Sequence, residues 1–224
     1  MSGRAAILGR IKASLGSGGE DGSRAAAVAT RIAEAPKGIV PKRGQLAKPA
    51  QVDLFHKMAE TFGASVARVA TYAAVAPEVT KYLRAKNLPA SIRIGDDKRL
   101  AKAGWASERT LEVRKGPSDG GDLAGVSHAL SAIAETGTLA LVSGSDNPTT
   151  INFLPEHHIV VVKAGDVKGD LEAVWTMLRK KTGKGEMPRT VNLITGPSRS
   201  GDIEQTIILG AHGPRALHII IVDE

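Results

Sequence analysis

The chain has 224 residues, with 30 Lys and Arg against 23 Asp and Glu, and no cysteine. Without thiols there is no disulfide, thiolate zinc site, catalytic cysteine or Cys-ligated iron–sulfur cluster held by this chain alone. No apolar run approaches the ~18 residues of a membrane span, and the N-terminus lacks the apolar core of a signal peptide. A cytoplasmic protein with no membrane span is expected. Its length suits one large domain or one domain with an appendage.

Charge is unevenly placed. Residues 1–50 hold nine basic and three acidic side chains, so the rest of the chain is near neutral. A nucleic-acid-binding domain carries its basic excess on the folded body, and only seven aromatics are available for base stacking. Nucleic acid is therefore disfavoured as a partner, and the N-terminal charge reads as a solvated arm.

Residues 3–15 place Ile7, Leu8, Ile11 and Leu15 at helical spacing. GSGGEDGS at 16–23 has linker composition, and an Ala-rich helix follows over about 24–35. PKGIVPKRGQLAKP at 36–49 shows no period, so residues 1–49 are predicted to be a basic helical arm and linker. The body, residues 50–224, opens with a helical face at Val52, Phe55, Ala59 and Phe62. SVARVA (65–70) and SIRIG (91–95) read as strands around a helix at 75–86. The pattern weakens over 104–124. LALVS (139–143), HIVVVK (158–163), TVNLIT (190–195) and LHIIIVD (217–223) are continuous apolar runs, as in strands covered on both faces. Residues 170–181 form an amphipathic helix with Asp170 as N-cap. The predicted fold class is α/β, a parallel-rich sheet flanked by helices, with an N-terminal helical arm.

Three Gly-rich turns adjoin these strands, and open α/β sheets gather ligands at the carboxyl edge. In the first, Glu135 precedes Thr136-Gly137-Thr138. Its carboxylate could act as nucleophile, base or hydroxyl acceptor, or merely cap the turn. In the second, Gly196, Ser198, Arg199, Ser200, Asp202 and Glu204 form a loop suited to a phosphate or carboxylate; a strand-to-helix turn capped by Asp202 is the plain alternative. In the third, His212 stands beside Gly213, open to acid–base work or to solvent alone. His157 and His158 point to opposite faces of a strand, His218 reads as a core histidine, and no metal-ligand spacing occurs. With no P-loop and no dinucleotide fingerprint, no cofactor is expected. One pocket shared by Glu135, Thr136, Ser198, Arg199 and His212, holding a small anionic ligand, is predicted.

Four ordered motifs, Glu135-Thr136-Gly137-Thr138, Leu154-Pro155, Gly196 to Glu204 and Gly210 to Pro214, resemble the LUD domain family, in its lactate utilisation protein C branch. The resemblance covers about residues 125–224. It implies a fold similar to ribose-phosphate isomerases, CoA transferases and formyltetrahydrofolate cyclo-ligases. It also implies a role in oxidising L-lactate to pyruvate, beside partner subunits that carry iron–sulfur clusters. An accessory subunit with an anion-binding loop fits best. An acyl- or CoA-transfer enzyme using Glu135 is the alternative, and a homo-oligomer is left open. The chain departs from the family at GSDNPTTI, residues 144–151, where relatives are often rich in Arg and Ser.

Overall fold

The computed structural model describes residues 3–16, 22–183, 185–203 and 206–224, without the side chains of residues 202, 203, 206 and 207. The chain divides into two compact units, Met1–Gly38 and Ile39–Glu224. The first contains helices α1 (Gly3–Ser14) and α2 (Gly22–Glu34), neither of which buries a residue.

In the second unit, α3 (Lys48–Thr61) leads into β1 (Ser65–Val69), α4 (Val75–Ala85) and β2 (Ser91–Ile94). Strands β3 (Glu112–Lys115), β4 (Ala124–His128), β5 (Ser131–Ile133) and β6 (Thr138–Val142) follow. The short helix α5 (Thr149–Phe153) precedes β7 (His157–Lys163) and β8 (Val167–Lys168). After α6 (Leu171–Thr182) come β9 (Val191–Ile194), the hairpin β10 (Arg199–Ile203) and β11 (Thr206–Leu209), and the last strand, β12 (Ala216–Val222).

Six of these strands form an all-parallel sheet in the order β1-β12-β7-β4-β2-β3, so the expected parallel-rich α/β fold is present. Ile159–Val162 and Ile219–Val222 are wholly buried because both faces of the sheet are covered. Alternate residues serve opposite cores. Ile159, Val161, Ile220 and Val222 pack with Val79 and Leu83 of α4. Val160, Val162, Ile219 and Ile221 pack with Phe55 of α3 and with Leu139 and Leu141.

Those two leucines belong to a second sheet, β8-β5-β6-β9, in which β6 runs antiparallel to both β5 and β9. LALVS and TVNLIT thus pair with each other and not within the parallel sheet. The expected cap of α6 is present, with Asp170 Oδ1 accepting from Ala173 N–H at 2.9 Å.

Residues 39–49, expected in the arm, lie in the second unit. Gly44 and Gly169 meet backbone to backbone, and a Cβ on either would overlap the other's carbonyl. Gln45 Nε2 donates to Asp170 Oδ2 at 2.8 Å, and Lys48 Nζ donates to the Val167 carbonyl.

Candidate functional site

A cleft of about 290 Å³ opens where the chain leaves β9 and where it enters β12. Its rim is made by Gly196–Arg199 and His212–Pro214, and its floor by Asn152, His158 and Leu217. The sequence suggested the carboxyl edge of the parallel sheet. The cleft sits instead at the amino edge, because 210–215 feeds into β12 and α5 feeds into β7.

Gly196 lets the loop turn. Its φ is +72°, and a Cβ there would strike the Phe62 carbonyl at the end of α3. Ser198 N–H donates to the Pro214 carbonyl at 2.9 Å, and Gly210 N–H donates to the Ser198 carbonyl at 3.0 Å. Those bonds clamp the two turns together. They also use the Ser198 N–H, so it does not point at an anion in the cleft. The segment after Ser198 is strand, not the start of a helix, and Ser200 pairs with Ile208 in the hairpin. A cap by Asp202 is thereby excluded. The side chain of Asp202 and the whole of Glu204 lie outside the described residues.

Arg199 is exposed and spans the rim. Its Nη2 donates to the Phe62 carbonyl at 3.0 Å, and among the described residues no carboxylate lies within ion-pair distance. His212 is exposed at the mouth and also borders a shallower depression of about 530 Å³ beside Leu154–Glu156. Gly213 packs closely against Ser198.

The first turn is linked to the cleft without lining it. Thr136 Oγ1 and Thr138 Oγ1 are 2.8 Å apart, and Thr138 Oγ1 is 2.6 Å from Thr195 Oγ1 on the cleft wall. Gly137 lies against the backbone of Met58 and Ala59 in α3. Glu135 is turned toward Arg43, whose Nε stands 3.8 Å from its Oε2. Of the five residues expected to share a pocket, Ser198, Arg199 and His212 come together, and Glu135 and Thr136 stay outside the wall.

Sequence reading missed the cleft floor. Ser127 Oγ donates to Asn152 Oδ1 at 2.7 Å and sits 3.1 Å from His158 Nε2. Burial drives the His158 imidazole down to about 3, so the ring is neutral. Ser127, Asn152 and His158 come from three separate segments with no motif spacing. The adjacent His157-His158 pair was the one available signal.

Residues 123–222 match the family model described as the LUD domain. Over this stretch the chain is similar to the LUD domain family. Every residue of the cleft wall falls inside it. "Lactate utilization protein C" of Geobacillus thermodenitrificans is 32% identical over 148 residues, covering 58% of this chain and 62% of that protein. The protein of the same name from Halalkalibacterium halodurans is 35% identical over 101 residues, 44% of each chain. The expected lactate utilisation protein C branch is thus supported, although the matches span only about half the length of these relatives. A crystal structure of a DUF162 family protein from Deinococcus radiodurans shares the fold, with a TM-score of 0.56 and 22% identity, covering 79% of this chain and 99% of that one. Among the described residues no helix is long and apolar enough to cross a membrane.

Proposed function

We propose that this chain is an accessory component of a lactate utilisation system whose LUD domain binds a small carboxylate in the cleft. The observation that carries the reading is Arg199, an exposed guanidinium on the cleft rim with no carboxylate beside it among the described residues. Ser198 and His212 flank it and would add hydrogen bonds. The names of the relatives supply the pathway. With no cysteine in these 224 residues, electrons from lactate would pass to iron–sulfur subunits acting as partners. Calorimetric titration with L-lactate is the test. Arg199→Ala should weaken binding roughly 10- to 150-fold, the worth of a charge-assisted hydrogen bond. Melting should change little, since the one described bond of Arg199 is solvent-exposed. Unchanged affinity would reject the assignment.

One observation favours a second reading, acyl or CoA transfer through Glu135. The residue is 5% exposed, and Oε2 has no hydrogen-bond partner among the described residues, leaving a desolvated nucleophile. Carboxylate attack on an acyl-CoA would expel CoA thiolate and form a glutamyl–acyl anhydride. For CoA transfer the thiolate would return to the glutamyl carbonyl, releasing the acid and leaving a glutamyl thioester. Hydroxylamine treatment after incubation with acyl-CoA should leave Glu135 unmodified by mass spectrometry; a hydroxamate there would establish the transferase.

A further inference from the structure

The cleft and the shallower depression beside it are continuous at Phe153, His212 and Gly213, which border both. Their linings differ. The cleft carries Arg199, whereas the depression carries Leu154 and Leu209. Glu156 and Arg215, the two charged side chains lining the depression, lie 3.5 Å apart and answer each other. Phe153, Leu154 and Leu209 are 41%, 48% and 53% exposed. Three large apolar side chains left open around one concavity mark an interaction site.

Strand register joins the two parts. Arg199 and Leu209 are directly opposite partners in the β10–β11 hairpin. Side chains so paired leave the same face of an antiparallel ladder, about 5 Å apart at Cβ. The hairpin therefore sets a permanent cation beside an apolar side chain, the arrangement that suits an amphipathic anion. Size points the same way. The cleft measures about 290 Å³ and the depression about 530 Å³. Pockets of ~300–1,000 Å³ enclose ligands of drug size, so a three-carbon acid at Arg199 leaves most of this space to water. A flat patch would suit a protein partner; this one is concave and opens off the cleft.

We propose that the depression receives the apolar tail of a carboxylate whose head pairs with Arg199, so that longer-chain monocarboxylates are preferred to three-carbon acids. This rests on the reading of the cleft as a carboxylate site and adds its ligand class. L-lactate, which has no tail, would be held by its head alone.

Calorimetric titration of the full chain with propionate, hexanoate and octanoate tests it, since all three carry the same head group. A methylene taken fully from water is worth about fourfold in affinity, and one laid on an open wall about twofold. Hexanoate should therefore bind roughly tenfold more tightly than propionate, and octanoate more tightly again. Leu209→Ser should abolish the gain and leave propionate unchanged. Arg199→Ala should weaken all three alike and keep their order. Leu209 is exposed, so replacing it leaves the core intact. As a second measurement, the methyl NMR signals of Leu154 and Leu209 should move with hexanoate and stay in place with propionate. Equal affinities for propionate and hexanoate, with Arg199→Ala weakening both, would overturn the tail site and keep the carboxylate site. A gain with chain length that Leu209→Ser leaves intact would also overturn it, by placing the tail elsewhere. Binding indifferent to Arg199→Ala, or no binding at all, would reject the carboxylate reading and the tail with it.

Discussion

Lowering the pH from 6.5 to 4.5 will destabilise this protein by several kcal/mol, with little change between pH 7 and 8. Three buried histidines carry the effect. His158 is driven down to about 3 by burial alone. His128 is driven to about 4 by burial and then by the charge of Arg99. His218 also falls to about 4, through burial and then through Lys81 and Lys86. Burial holds each ring neutral, against bonds at Ala129 and Ser65 that favour the charged form of His128 and His218. Tyr72 hydroxyl lies 2.8 Å from His128 Nε2, and the Ala129 carbonyl accepts from Nδ1 at 2.7 Å. Tyr82 stacks on His218 at 4.3 Å, and Ser65 Oγ is 2.8 Å from its Nδ1.

The unfolded chain protonates these rings near 6.5, and the folded chain only near 3 to 4. Between those values the unfolded state binds up to three more protons, so stability rises with pH and is lost as pH falls. Above 6.5 both states are neutral and the slope vanishes. Three protons correspond to a limiting slope of about 4 kcal/mol per pH unit. Urea unfolding at pH 7.5, 6.5, 5.5 and 4.5 measures it. A flat profile down to pH 5 would mean that the histidines are not sequestered as described.

A chain beginning at Ile39 should melt at the temperature of the full chain, and one beginning at Ala50 should not. Helices α1 and α2 bury nothing, and Ile7, Leu8 and Ile11 are each about half exposed or more. Their loss removes no core. Residues 42–48 differ. They bring Gly44 against Gly169, hold the second oxygen of the α6 cap through Gln45, and place Arg43 beside the buried Glu135. Deleting them removes at least one hydrogen bond to a charged group and one from a charged group, about 3 kcal/mol or more together. For a domain of this size that is a fall in melting temperature of roughly 10 °C. Equal melting of the two truncated chains would place residues 39–49 outside the folded body.

The strands β7 and β12 could be read directly, because continuous aliphatic runs mean cover on both faces and both faces are covered. Asp170 was legible for a similar reason: a cap is a contact between near neighbours in sequence. The pairing of β6 with β9 was not, since an apolar run reports burial and says nothing of which strand lies alongside or in which direction. Strand β3 was lost in the irregular stretch at 104–124, and β4 and β5 just beyond it went unread, β4 because it carries a glycine and two polar residues that only its neighbours shelter. The turns at 196–199 and 210–214 could be recognised as motifs, but their meeting depends on the β10–β11 hairpin folding back between them. Ser127, Asn152 and His158 are separated along the chain and share no spacing, and Glu135 finds Arg43 across a distant loop. Local chemistry is written in local sequence; contacts that close across sheets are selected by packing, which no short window of residues contains.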